Sequence, residues 1–328
     1  MKNYRLIASL VLLLWCTCGM AQQLRFHKDG TFKIVQFTDV HWVPGDEKSE
    51  IAAERMNQVL DEEKPDLVVY TGDLCFGKPG TAALDKALEP VVNHGIPFAV
   101  VWGNHDDEQG FTRQELFDHM KNKPGNLTGT TPGLFGVTNY ILPIQNSKGT
   151  GSAFTLYMLD SGSYSLIPSI KGYDWIKDNQ VQWYRRESAR ILEENHGDTI
   201  PAMAFFHIPL PEYAEANTTV GNPMIGTRKE MVCSPELNSG MFNAIIERGD
   251  VMATMAGHDH INDYATLWKG VLLCYGRYSG GNTVYNNIAG GNGARVILLQ
   301  EGQRSFRSWI RLKDAKVIND FTYPDDFK

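Results

Sequence analysis

The chain has 328 residues, of which 42% are hydrophobic and 21% are charged, a composition typical of a globular protein with a full core. Its formal net charge is −7, and its Lys and Arg residues form no cluster, which argues against nucleic acid as a general partner. Beyond the N-terminal segment the only cysteines are Cys75, Cys233 and Cys274. Their scattered spacing excludes both a disulfide framework and a CxxC zinc site.

The N-terminus is predicted to be an export signal. Lys2 and Arg5 precede a short apolar run over residues 6–15, and small residues end at Ala21. We expect residues 1–21 to be a cleaved signal peptide and the mature chain to be periplasmic or secreted, with an uncleaved anchor as the alternative. Loss of the two cations changes the net charge from −7 to −9. No later stretch is long and apolar enough to predict a transmembrane span.

The first part of the mature chain alternates β-rich runs with helical patterns. Strands are predicted at residues 33–38, 66–71 and 98–102, and helices at 49–63 and 81–93. The second strand has the near-continuous apolar character of a strand covered on both faces. This βαβαβ order predicts a parallel sheet with helices packed on its faces.

The second half adds more closely spaced strands, which predict mixed or antiparallel pairing. No repeat, low-complexity run or linker separates the two halves, so one domain over residues 22–328 is predicted. Its fold class is α/β, with two mixed β-sheets packed face to face and flanked by helices. The later elements are predicted as strands at 153–159, 202–206, 251–256, 264–268 and 271–275, and as helices at 175–194 and 236–248.

Polar side chains follow five of the predicted strands at the point where each strand ends. In open α/β sheets ligands bind outside the carboxyl ends of the strands, so we expect these side chains to meet at one edge. Residues two apart in an extended segment project to the same side, which pairs Asp39 with His41 and His258 with His260. The set is Asp39, His41, Asp73, Asn104, His105, Asp106, His207, His258 and His260.

This mixture of oxygen and imidazole donors without thiolates suits Mn²⁺, Fe or Zn²⁺. Seven ligands are too many for one such ion and fit two, with Asp73 in the middle motif as the bridging carboxylate. Two ions about 3.5–4 Å apart can acidify a shared water and clamp a phosphate. Taken singly, Asp39 or Asp73 could be a cap or turn residue and His207 a core histidine. Together these readings would require five coincidences at strand ends.

The ordered motifs Asp-x-His, Gly-Asp-x, Gly-Asn-His-Asp, a lone His and Gly-His-x-His resemble the calcineurin-like metallophosphoesterase superfamily. The resemblance covers residues 39–260 and extends to the purple-acid-phosphatase-like branch. It implies a four-layer sandwich with Asp73 bridging two ions. It also implies that His105 stabilises the phosphoryl oxygens or protonates the leaving group, with Asp106 fixing its tautomer. The implied ligands are Asp39, His41 and His260 for one ion, and Asn104, His207 and His258 for the other.

One position departs from the purple acid phosphatases that the branch is named after. Their colour comes from a tyrosinate on ferric iron, three residues after the bridging Asp, and they lack the His of Asp-x-His. Here Phe76 occupies the tyrosine position and His41 is present. We therefore expect a colourless protein with two divalent ions, Mn²⁺ first and Fe or Zn²⁺ next.

The sequence predicts metal-dependent hydrolysis of phosphate esters, with a metal-bridging hydroxide as nucleophile and His105 assisting. A phosphomonoester of a small metabolite or a phosphoprotein is the expected substrate. The alternatives are a phosphodiesterase acting on cyclic nucleotides or glycerophosphodiesters, and a non-catalytic metal-binding scaffold. Arg277, just after a late strand, is a candidate contact for a substrate phosphate, with a plain surface arginine as the alternative.

Overall fold

The computed structural model describes residues 23–328 of the chain. The predicted signal peptide, residues 1–21, lies outside the described residues. No helix within residues 23–328 is long and apolar enough to cross a bilayer.

The first sheet has six strands and is mixed. Its order is β13-β12-β11-β1-β2-β3, in which β1, β2 and β3 are parallel and the other pairs are antiparallel. The parallel part is the predicted βαβαβ unit, which is therefore confirmed. The strands are β1 (Thr31–Phe37), β2 (Leu67–Thr71), β3 (Phe98–Val101), β11 (Ala294–Gln300), β12 (Phe306–Arg311) and β13 (Val317–Tyr323).

The second sheet has seven strands in the order β4-β5-β6-β8-β10-β9-β7. The four central strands β5, β6, β8 and β10 are parallel. Antiparallel pairs close both edges, with β4 on one side and β9 and β7 on the other. The strands are β4 (Tyr140–Gln145), β5 (Ser152–Met158), β6 (Ala202–Phe205), β7 (Met224–Ile225), β8 (Val251–Ala256), β9 (Ala265–Trp268) and β10 (Val271–Tyr275).

The two sheets pack face to face between two layers of helices, which confirms the predicted fold class. Alternation along each strand shows this: Ile34 of β1 lies in the core between the sheets, whereas its neighbour Val35 packs under the first helices. In β6, Met203 faces the same central core and Ala204 faces the second helix layer. The helices are α1 (Glu47–Glu63), α2 (Gly80–Asn93), α3 (Arg113–Met120), α4 (Asp178–Glu194), α5 (Glu212–Thr218) and α6 (Met241–Arg248).

Several elements differ from the sequence prediction. The strands β11 to β13 were not predicted, and they complete the first sheet by antiparallel pairing of β11 with β1, more than 200 residues away. The last helix starts at Met241 rather than at residue 236, because Gly240 precedes it with a left-handed backbone, φ 79°. These are long-range or local backbone effects that hydrophobic periodicity alone does not reveal.

Candidate metal centre

The carboxyl ends of strands from both sheets meet at one place. The loops after β1, β2 and β3 supply Asp39, Asp73 and Asn104, while the loops after β6 and β8 supply His207 and His258. Hydrogen bonds join the two sheets there. The Nδ1 of His207 lies 2.7 Å from the Thr71 carbonyl, and the His258 amide donates to the Asp39 carboxylate at 3.0 Å. The predicted single edge is thus a junction between two sheet edges.

The seven predicted ligands form one buried group, here called the ligand cluster: Asp39, His41, Asp73, Asn104, His207, His258 and His260. Three sets within it place one donor atom per residue within 4.8 Å of one another. These sets are Asp39 with His41 and His260, His41 with Asp73 and His105, and Asp73 with His207 and His258.

Asp73 lies between two halves of the ligand cluster. One half is Asp39, His41 and His260, and the other is Asn104, His207 and His258. The Oδ2 of Asp73 is 3.3 Å from Nε2 of His41 and also 3.3 Å from Nε2 of His207. Ligand atoms around an ion with bonds of about 2.0–2.2 Å are separated by roughly 3–3.5 Å. A carboxylate oxygen equally distant from two such imidazoles fits a shared ligand of two ions.

The rest of each half has similar spacing. In one half, Nε2 of His260 lies 3.7 Å from Oδ1 of Asp39. In the other, Nε2 of His207 lies 3.1 Å from Oδ1 of Asn104 and 3.2 Å from Nδ1 of His258. These distances suit converging donors around a small cation.

Backbone carbonyls set the tautomers of two histidines. The Nδ1 of His207 lies 2.7 Å from the Thr71 carbonyl, and the Nδ1 of His260 lies 3.0 Å from the Tyr285 carbonyl. A carbonyl only accepts, so in each ring Nδ1 carries the donated hydrogen. When the ring is neutral, the lone pair of Nε2 then points into the cluster.

The backbone of the ligand cluster is strained. Asp39, His41, Asp73 and His258 have φ values of 56°, 49°, 55° and 78°, a left-handed conformation uncommon for residues other than glycine. Such conformations persist where surrounding structure imposes them, and they concentrate at functional sites. Gly72 precedes Asp73 in the same turn with φ 85°. No other residue fits there, because a Cβ would collide with the His207 ring.

Buried polar atoms without partners test whether ions fit this group. Both ring nitrogens of His41 and Nε2 of His258 are buried and make no hydrogen bond. An unpartnered buried polar atom costs free energy, which a metal ion bound by these nitrogens would offset. The donor set, two carboxylates, one amide and four imidazoles, is the mixture that first-row divalent ions accept. The residues therefore fit two such ions.

His105 lies beside the ligand cluster and not inside its dense part. Its backbone N–H donates to Oδ1 of Asp73 at 2.8 Å, and its ring packs edge-on against Phe76 at 5.1 Å between centroids. Its Nδ1 lies 2.6 Å from the carboxylate of Glu108, a residue that the sequence analysis did not select. The i,i+3 spacing of His105 and Glu108, across the short 3₁₀ helix Asp106–Glu108, was the available signal.

A family profile described as calcineurin-like phosphoesterase matches residues 32–262. The chain belongs to this family. The matched region spans the whole ligand cluster, and the resemblance noted from the motifs is confirmed.

Two relatives and one solved structure extend this assignment. Probable inactive purple acid phosphatase 29 of Arabidopsis thaliana is 34% identical, over 95% of this chain and 90% of the relative. Phosphatase DCR2 of Saccharomyces cerevisiae is 37% identical, over 92% of this chain and 57% of the yeast protein. A dimetal phosphatase from Danio rerio is similar in fold, with a TM-score of 0.59 at 14% identity, over 89% of this chain and 98% of that chain.

The carboxyl of Asp106 makes different contacts from the one expected of it. It accepts backbone N–H groups from Asp73 at 3.0 Å, Leu74 at 2.8 Å, Cys75 at 2.9 Å and Gly103 at 2.8 Å. These bonds fix the loop that carries Asp73. The expectation that Asp106 orients the His105 ring is corrected by this geometry.

The substitutions Glu108→Gln and Asp106→Asn are expected to separate these two roles. Glu108→Gln should lower kcat roughly 10- to 100-fold with little change in thermal stability, because it weakens only the contact that orients His105. Asp106→Asn should lower the free energy of unfolding by about 1–3 kcal/mol, because an amide satisfies four N–H donors less well. Steady-state kinetics and thermal unfolding measure the two effects. A large drop in stability for Glu108→Gln would contradict its assigned role.

Arg277 does not reach the protein surface. It is fully buried, its guanidinium pairs with Asp263 at 2.5 Å, and it donates to the carbonyls of Ala289 and Gly291. The expectation that Arg277 contacts a substrate phosphate is therefore not supported. A buried, paired arginine at this place holds the loop before β11 in position.

The protonation of the ligand cluster reflects its carboxylates. Burial lowers the pKa of a histidine, but the Asp73 carboxylate outweighs it, raising the pKa of His207 to about 9 and raising that of His41. Burial raises the pKa of a carboxyl, yet His207 and His41 hold the pKa of Asp73 well below its ordinary value. Burial lowers the pKa of His260 to about 4, so that ring is neutral at pH 7. In the metal-free protein at pH 7, a proton on His207 thus compensates the buried Asp73 carboxylate.

Metal affinity is therefore expected to weaken as the pH is lowered. Below the raised pKa of His207, about 9, an ion that binds its Nε2 must displace a proton, so affinity should weaken about tenfold per pH unit for each proton displaced. Calorimetric titration of Mn²⁺ into chelator-stripped protein, in buffers of different ionisation enthalpy, counts the protons released. An affinity that stays constant between pH 6 and pH 8 would contradict this assignment.

Proposed function

We propose that this phosphoesterase hydrolyses phosphate esters, with a phosphomonoester as its substrate, at a centre of two divalent ions held by the ligand cluster. The observation that carries the proposal is the place of Asp73, whose Oδ2 lies 3.3 Å from an imidazole of each half. Membership of the calcineurin-like phosphoesterase family supports the reaction class.

Each half of the ligand cluster has a proposed share. Asp39, His41 and His260 would hold one ion, and Asn104, His207 and His258 the other, with Asp73 common to both. Two divalent ions supply Lewis-acid charge that neutralises a phosphate and lowers the pKa of water. Mn²⁺ is the proposed ion, with Fe or Zn²⁺ next, because the donors are oxygen and imidazole without thiolate.

His105 is the proposed proton donor to the leaving alcohol. Its backbone N–H is fixed on Asp73 and its Nδ1 on Glu108, which leaves Nε2 as the ring atom available to substrate. A positioned imidazole contributes roughly 10²- to 10⁴-fold to the rate of such steps. Phe76 offers no oxygen ligand, which supports a colourless centre without a tyrosinate.

A non-catalytic scaffold is the rival proposal, since the Arabidopsis relative is named probable inactive. A scaffold has no need to retain ligands or a proton donor. This chain retains all seven ligands together with His105, and it keeps strained backbone at four of the seven. Those observations favour activity. Export to the periplasm or medium is proposed from residues 1–21 alone.

Hydrolysis of para-nitrophenyl phosphate and of bis-para-nitrophenyl phosphate tests the proposal. Chelator-stripped protein should regain monoesterase activity with Mn²⁺, and Fe²⁺ and Zn²⁺ should be compared. Preference for the diester would move the assignment to a phosphodiesterase. Failure to cleave either ester with two ions bound would favour the scaffold.

A further inference from the structure

Exposed tyrosine rings lie beside the ligand cluster without belonging to it. Tyr285 stacks on the His260 ring at 4.4 Å between centroids and 28° between planes, beside one half of the cluster. Its hydroxyl donates to Glu230 at 3.0 Å, and its own carbonyl accepts from His260. The stacking and the hydroxyl bond thus fix the ring, and the carbonyl contact fixes the backbone, yet Tyr285 remains 58% exposed. One face packs on a ligand, and the other is open.

A second tyrosine pair lies beside the other half. The amide of Asn104 donates to the Tyr164 hydroxyl at 3.0 Å, and the Tyr164 ring stacks with Tyr173 at 5.7 Å and 26°. Tyr173 in turn packs edge-on against His258 at 4.2 Å. Tyr164 is 40% exposed, so it too presents ring surface next to a proposed ligand.

The loops that carry these rings are tied together and bear exposed apolar side chains. The Lys171 amide donates to Glu236 at 3.3 Å, which links the loop of Tyr164 to the loop of Glu230. Leu166 in the first loop is 92% exposed and Met231 in the second is 85% exposed.

We propose that Tyr285 and Tyr164 form an aromatic platform that selects phosphate esters whose alcohol part carries a planar ring. The inference rests on the proposed function, since it places the phosphate at the ligand cluster. Fixed aromatic rings with one open face bind planar rings by stacking and tolerate different ring chemistries. A nucleoside phosphate and an aryl phosphate such as phosphotyrosine share this chemistry.

Matched pairs of ligands isolate the ring from the phosphate. Adenosine 5′-phosphate and ribose 5-phosphate have the same phosphorylated sugar carbon and differ by the base, and phosphotyrosine and phosphoserine differ by the aryl ring. Dissociation constants are measured by calorimetry on Mn²⁺-loaded protein at low temperature, where turnover is slow. The ring-bearing member of at least one pair should bind roughly ten- to a hundredfold more tightly, the effect of stacking one ring. The pair that shows the difference identifies the source of the ring.

Substitutions then assign the effect to the platform. Tyr285→Ala and Tyr164→Ala should each reduce the preference severalfold, and the double variant should bring it within about twofold of unity, whereas Tyr285→Phe, which keeps the ring, should retain it. Metal content, measured by mass spectrometry, verifies that each variant keeps two ions. A wild-type preference below twofold in both pairs, or a preference that survives the double alanine variant, would overturn the platform. Failure to hydrolyse any of the four esters would count against the proposed function, while the binding ratios still decide on the platform.

Discussion

Asp73→Asn is expected to remove metal and abolish turnover together. The Oδ2 of Asp73 faces an imidazole of each half, so the substitution takes a charged ligand from both proposed ions at once. Loss of contacts outside the coordination sphere typically costs 10- to 100-fold in affinity or activity, and loss of a bridging carboxylate should exceed roughly 100-fold in both. Inductively coupled plasma mass spectrometry and steady-state kinetics on the same preparation measure the two effects.

Asp250→Asn is the matched control for this substitution. Asp250 is also buried, but it precedes β8, whereas His258 follows that strand at its other end. Its carboxylate accepts the Tyr157 and Tyr184 hydroxyls, so its loss should lower thermal stability and leave metal content intact. If Asp73→Asn kept both ions and full activity, the proposed bridging role would be wrong.

His105→Ala is expected to keep both ions and lose most of the rate. The imidazole contacts Glu108 and packs on Phe76, and its proposed role is to protonate the leaving alcohol. Removing a general acid typically lowers kcat roughly 10²- to 10⁴-fold. The loss should shrink for esters with acidic leaving groups such as para-nitrophenol, because they depart without a proton.

The contradicting result for His105 is specific. One set of potential ligand atoms groups His105 with His41 and Asp73, so a fall in bound metal would make His105 a ligand. His119→Ala is the control, since His119 is an exposed residue of α3 whose Nε2 lies 2.8 Å from the Asp85 carboxylate. That variant should match the wild type in metal content and in kcat.

The ligand cluster could be predicted because each member lies within four residues of the end of a buried strand. Asp39 and Asp73 come after β1 and β2, and parallel strands end at the same edge. What the sequence did not reveal is that a second sheet brings His207 and His258 to that edge. Its approach depends on packing between β1–β3 and β6–β8 through the central core, a long-range effect without a local signature.

Residues outside the strand ends were predicted less well. Arg277 follows β10 and was expected near substrate, but burial and the pairing with Asp263 give it a structural place. Asp106 and Glu108 are two residues apart in one acidic run, and only the 3₁₀ turn decides which carboxylate meets His105. Tyr285 stands in a glycine-rich loop without periodicity, so its stacking on His260 required the folded structure.

The most direct test of the two-ion centre is a titration of the wild-type protein itself. Chelator-stripped protein is equilibrated with increasing Mn²⁺, and bound metal and para-nitrophenyl phosphate turnover are measured on each sample. The ligand cluster predicts two equivalents bound per chain and turnover that reaches its maximum only when both are present. Binding of one equivalent or none, or turnover that persists without metal, would contradict a centre of two ions bridged by Asp73.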